Sequence, residues 1–173
     1  MFKKIAIASV LFATSTTMAF ASSAPYVGAA LGVNTVTNNV GNYRGVPLNI
    51  FAGYGATINT NLYLGGEVFI VPFNGMLSRS YFTNLRTTYS YGASILPGFM
   101  FSDHTLGYVR AGVVGSHFSS PGRTKTGGQL GLGMQTNVAQ NLDLRTEYVF
   151  TAYKNTGSTK SDAFNLGLVY KFE

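Results

Sequence analysis

The sequence predicts an all-β fold: eight antiparallel strands closed into an up-and-down transmembrane β-barrel. Three observations predict it. Apolar residues recur at every second position in segment after segment, which is the period of a strand with two unlike faces. The faces opposite them carry glycine, amides and charges, which no soluble core would take. The connections between segments alternate between short and long, as they do in bacterial barrels.

Taken in order, the chain opens on Lys3 and Lys4, an apolar run from Ile5 to Ala13, and Ala19-Phe20-Ala21, the small-x-small pattern read by signal peptidase. Residues 1–21 are therefore expected to be a cleaved secretory signal peptide, and 22–173 the barrel. A membrane anchor would need about 20 apolar residues, and Thr14 to Thr17 interrupt this run too early. After it, no apolar stretch is long enough for a transmembrane helix, so entry into a membrane has to be by strands. Export usually brings disulfides, yet there is no cysteine. The 21 glycines, 11 tyrosines and 13 phenylalanines suit a membrane barrel.

The first segment, from Tyr26, alternates weakly. In the second, Leu48, Ile50, Ala52 and Tyr54 oppose Asn49, Phe51, Gly53 and Gly55; in the third, Leu62, Leu64, Val68 and Ile70 oppose Tyr63, Gly65, Glu67 and Phe69. Segments from Tyr89 and Leu106 are less sharp. Pro97 cannot donate to a ladder, so a bulge or a local break in pairing is expected there. In the sixth, Leu130, Leu132 and Met134 oppose Gln129, Gly131, Gly133 and Gln135. In the seventh, Leu144, Tyr148 and Phe150 oppose Asp143, Arg145, Glu147 and Val149. In the eighth, Phe164, Leu166, Leu168, Tyr170 and Phe172 oppose Asn165, Gly167, Val169 and Lys171.

Residues 59–61, 102–105 and 137–141 read as short turns, and 35–45, 72–87, 117–127 and 153–162 as long loops. Short turns and both termini are then periplasmic and the long loops face outward. Two aromatic girdles follow: Tyr89, Tyr91, Phe150 and Phe164 toward the loops, and Phe99, Phe101, Tyr170 and Phe172 toward the turns.

These residues resemble the small eight-stranded outer-membrane barrels that include the OmpA-type transmembrane domain, OmpX-like proteins and opacity-protein-like surface antigens. The resemblance spans the chain after the leader. It rests on Leu64-Gly65-Gly66-Glu67, on Arg145-Thr146-Glu147-Tyr148, and on the last strand. That strand is similar to the signal read by the barrel assembly machinery, with Asn165, Gly167, Tyr170 and Phe172 as its elements. Such barrels end on the aromatic residue, whereas here Glu173 follows it. The resemblance implies a bacterial outer-membrane location with the loops exposed at the cell surface.

An eight-stranded barrel has room inside only for side chains. Inward Glu67, Arg110, Arg145 and Glu147 are thus expected to meet near the axis and pair as an electrostatic plug, with Gly53, Gly65, Gly112, Gly131 and Gly133 making space. The alternative is a narrow passive pore. The long loops hold Arg44, Arg79, Arg86, Arg123, Lys125, Lys154 and Lys160 against Asp162. This basic rim suits lipopolysaccharide phosphates and acidic host glycans as partners, or is merely a solvated face beside anionic lipid. Nucleic acid is not an expected partner, because the net charge of +6 is scattered over segments of an exported chain.

A third reading, a lipid A-modifying enzyme, would use His117-Phe118-Ser119, which faintly resembles the His-x-Ser pair of lipid A deacylase barrels. No carboxylate nearby would orient the histidine, so neither catalytic residues nor enzyme activity are expected. Two separated histidines, His104 and His117, and no cysteine give no metal-site spacing, so no metal or cofactor is expected either. The expected protein is a monomer in contact with outer-membrane lipid.

Overall fold

The computed structural model describes residues 22–38, 41–58, 61–79, 87–118, 123–154 and 159–172. They form β1 (Ser22–Asn38), β2 (Gly41–Thr57), β3 (Leu62–Arg79), β4 (Thr87–Ser102), β5 (Thr105–Phe118), β6 (Arg123–Ala139), β7 (Leu142–Tyr153) and β8 (Lys160–Lys171). Each strand pairs antiparallel with its neighbours in sequence, and β1 pairs with β8 to close the barrel. Closure leaves no sheet edge, so the backbone can cross lipid with its hydrogen-bonding groups satisfied. Residues 1–21 and Glu173 lie outside the described residues.

The alternation read from the sequence sorts onto two faces. Leu130, Leu132, Phe164, Leu166 and Leu168 are exposed on the outer surface, while Glu67, Arg110, Gln135, Asp143, Arg145, Glu147 and Asn165 are buried inside. The weak alternation of β1, β4 and β5 has a physical reason. Their inward positions hold Tyr26, Ala30 and Val114, which pack with Phe51, Phe69 and Val169 in one apolar cluster, and Leu96, Leu106 and Tyr108, which form a second. Both faces of those strands therefore look apolar in sequence.

Among their described residues, the segments read as long loops are mostly strand, which corrects that expectation. The β1–β2 ladder runs to Asn38↔Gly41, β5–β6 to Phe118↔Arg123, and β3 continues to Arg79. Arg44, Arg79, Arg123, Lys125 and Lys160 lie in strands, and only Lys154 of the described rim cations lies in a turn. A tilted strand needs about 9–11 residues to cross the hydrocarbon core. Strands of 17 residues such as β1 and β2 therefore continue past it, where pairing with the next strand satisfies the backbone as well as water does.

Pro97 interrupts its ladder on one side only. Toward β3 the register runs unbroken through Leu64↔Pro97. Toward β5 it steps from Ile95↔Ala111 to Gly98↔Tyr108 without a shift, so pairing lapses at Leu96 and Pro97 but no bulge forms. At the turn end, Asn141 takes the left-handed conformation, φ 60°, that asparagine tolerates. Its Nδ2 donates to the carbonyl of Lys171, tying the β6–β7 turn to the last strand.

Candidate functional site

Glu67, Arg110, Arg145 and Glu147 sit on β3, β5, β7 and β7, all facing inward, and the barrel brings them into one network. Glu67 Oε1 accepts from Arg110 Nη2, and its Oε2 accepts from Arg145 Nη1 at 2.6 Å. Arg110 Nε donates to Glu147 Oε1 at 2.6 Å, and Arg110 Nη1 to Ser94 Oγ at 3.1 Å. The side chains of Arg110 and Glu67 are 3% and 0% exposed. Ions so removed from water persist only when paired and fully hydrogen-bonded.

The surroundings complete that requirement through residues that alternation alone does not single out. Tyr26 donates to Glu67 Oε2 at 3.1 Å and Tyr108 to Glu147 Oε1 at 3.0 Å. The Arg145 guanidinium lies 4.5 Å from the Phe51 ring centroid and 5.3 Å from those of Tyr26 and Tyr108, within cation–π range. Arg145 Nε and Nη2 both donate to Gln135 Oε1, and Gln135 Nε2 donates to Asp143 Oδ2 at 2.6 Å. Lys171 Nζ meets the same oxygen at 2.7 Å. The chain of contacts thus runs from Glu147 at mid-barrel to Lys171 at the turn end, three acids against three bases. Gln135, Asp143 and Lys171 all stand on the inward faces of the sequence alternation, so the signal was there.

The inward glycines serve rings more than ions. A Cβ on Gly53 or Gly133 would strike Tyr26 or Tyr108, one on Gly65 would press on Tyr63, and one on Gly112 would meet Ser94. Only Gly131 among the five borders a charged side chain, at Arg110 Cβ. The glycines let the tyrosines lie flat enough to reach the carboxylates.

Above the network, toward the loop end, lies a chamber of about 80 Å³ floored by Arg110 and Glu147. Asn34 Oδ1, Asn49 Oδ1 and Gln129 Oε1 face it with no donor among the described residues, and acceptors in such a space are served by water. Below the network a vestibule of about 450 Å³ opens at the turn end between His104, Asp143 and Lys171. Among the described residues no group of three His, Cys, Asp or Glu is placed to hold a metal ion.

The rim residues divide. Arg44, Lys154 and Lys160 are exposed and Lys125 is half-buried. Arg79 and Arg123 stand at strand ends, and Arg86 lies outside the described residues. Asp162 Oδ1 accepts from Tyr148 OH at 2.5 Å on the outer surface. His117 stacks on Tyr89, centroids 5.0 Å apart, and its Nδ1 is 3.3 Å from Thr124 Oγ1. The histidine has an aromatic ring and a hydroxyl where a triad would put a carboxylate, and Ser119 lies outside the described residues. Of the assembly-signal residues, Asn165 and Gly167 face inward, while Tyr170 and Phe172 face outward in edge-to-face contact at 5.1 Å.

Over residues 5–172 the chain matches the family of the outer membrane protein beta-barrel domain. The chain belongs to that family. This places it in the bacterial outer membrane as an integral barrel. Two solved structures of this family's shape are similar to it: neisserial surface protein A, at 19% identity with a TM-score of 0.62, covering 87% of this chain and 99% of that one, and Ail, the attachment invasion locus protein of Yersinia pestis. The latter was solved in complex with the heparin analogue sucrose octasulfate and matches at 20% identity, TM-score 0.57, covering 87% and 97%. At such identities the likeness is one of fold. A comparison with curated proteins found no match.

Proposed function

We propose that this outer-membrane barrel is a closed surface protein that contributes to envelope integrity and uses its loop end, facing outward, to hold polyanions: phosphate groups of lipopolysaccharide or acidic glycans of a host surface. The observation that carries this reading is the exposure of Arg44, Lys154 and Lys160 at one end, where the acid Asp162 is engaged by Tyr148. Ail, similar in fold, was crystallised with a sulfated saccharide analogue, and that ligand chemistry suits the same kind of rim. The buried network acts as a plug, which favours a silent barrel over a conducting one.

Heparin binding to the folded, detergent-solubilised barrel tests the rim. Binding is expected to weaken steeply with salt, since exposed charges are screened beyond about 10 Å at 0.1 M ionic strength. The triple variant Arg44→Gln, Lys154→Gln, Lys160→Gln is expected to lose about tenfold or more in affinity, a change of about 1.4 kcal/mol. Affinity that ignores both salt and these substitutions would overturn the reading.

A further inference from the structure

The outer surface is not uniformly convex. Across β8, β1 and β2 it carries an apolar groove of about 760 Å³, whose sides include Leu31, Val33, Phe164, Leu166 and Leu168. Its floor is low because the outward residue of β1 is Ala29, set between Leu168 of β8 and Ile50 of β2. Following the same outward faces toward the loop end, Val33↔Phe164 is succeeded by Thr35, which pairs with Asp162 on one side and Arg44 on the other. One further step along, Thr37 pairs with Lys160. Arg44 and Lys160 are both exposed. The intervening acid is turned away, since Asp162 is held by Tyr148 on β7.

We infer that this seam is a lipid site. It takes a phosphorylated, multiply acylated glycolipid of the lipid A class, with one acyl chain in the groove over Ala29 and its phosphates on Arg44 and Lys160. The inference rests on the proposal that the loop end binds polyanions, and it names a lateral site for one of them. The groove alone gives no affinity by the hydrophobic effect, because lipid tails are as apolar as leucine. It contributes close packing along one chain, and the cations choose the headgroup. Strand spacing and rise put the Cα atoms of Arg44 and Lys160 about 12 Å apart. Two cations so separated suit a headgroup with two phosphates better than the single phosphate of a phospholipid.

Native mass spectrometry of the folded barrel, incubated in micelles with lipid A, dephosphorylated lipid A or phosphatidylglycerol, tests it. The wild type is expected to retain lipid A and neither of the others. Ala29→Trp fills the groove without touching a charge and is expected to lower retained lipid A by about tenfold while heparin affinity is unchanged. Ala29→Phe serves if Ala29→Trp fails the heat-dependent mobility shift of a folded barrel. Retention of lipid A by the filled-groove variant at the wild-type level overturns the inference, and so does equal retention of phosphatidylglycerol. Absence of heparin binding by the wild type, with the Ala29 effect intact, would strike the acidic-glycan half of the polyanion proposal and leave lipid phosphates as the ligand.

Discussion

Glu67→Ala is expected to cost about 3–5 kcal/mol of barrel stability, the range for removing one partner of a buried ion pair. Glu67 is the acid that both arginines share: Arg110 binds one of its oxygens and Arg145 the other. Without it, two guanidiniums remain inside the barrel with Glu147 as the only carboxylate at that level, and Tyr26 loses its acceptor. Urea unfolding in detergent, followed by far-ultraviolet circular dichroism and by the mobility of the unheated sample, reads the change directly. Glu67→Gln keeps the volume and an acceptor, so it should lie between wild type and alanine. Replacing Glu67, Arg110, Arg145 and Glu147 together by apolar residues of similar size should be far milder than Glu67→Ala, because the cost lies in the orphaned charge and not in the lost attraction. An unfolding midpoint unmoved by Glu67→Ala would mean that the ions are not paired in the folded barrel. In a planar bilayer the wild type should be silent and Glu67→Ala should show small steps, since the network separates the chamber above from the vestibule below.

That the four ions lie together was legible in the sequence because period two assigns each to one face, and a barrel this narrow leaves them nowhere else to go. What the alternation could not supply was partnership across strands. Gln135 lies inward in any register, but that it joins Arg145 to Asp143 depends on the pairings Gln135↔Arg145 and Asn137↔Asp143, a register that holds up to the shift between Asn137 and Ala139. Tyr26 and Tyr108 were hidden for another reason. An inward tyrosine looks like a lipid-facing one until the glycine opposite it, Gly53 or Gly133, shows where the ring has room.

Polar composition alone does not distinguish an irregular loop from a strand that extends beyond the membrane. Thr35 to Asn38 and Asn42 to Arg44 carry no continuous apolar face, because beyond the hydrocarbon core the outer wall meets headgroups and water, although Val36 is buried inside. The ladder nevertheless continues through Thr37↔Asn42. Threonine favours extended backbone, and a hairpin already in register extends at little cost. This matters for the rim, because cations on paired strands point either out or in. Arg44 and Lys160 face the lipid side by that rule, whereas Lys125, paired with the buried Ser116, faces the lumen.

Gly53→Val is expected to destabilise the barrel by about 3 kcal/mol, combining overpacking at about 1–3 kcal/mol with the weakening of a hydrogen bond to a charged group, about 1.5–3 kcal/mol. A Cβ at Gly53 would lie 2.5 Å from the Tyr26 ring and 2.6 Å from the carbonyl oxygen of Gly66. The carbonyl belongs to the β2–β3 ladder, in which Tyr54 pairs with Gly66, and cannot retreat. Tyr26 must move, and its hydroxyl is held at Glu67 with its ring beside Arg145. The control is one strand away: a Cβ on Gly66 would meet nothing within 4 Å, so Gly66→Ala should leave the urea midpoint near wild type. Tyr26→Ala should then relieve the part of the Gly53→Val penalty that the ring causes and leave the part caused by the Gly66 carbonyl. If the two substitutions instead add, the penalty arises from the backbone at Gly66 and not from the displaced tyrosine.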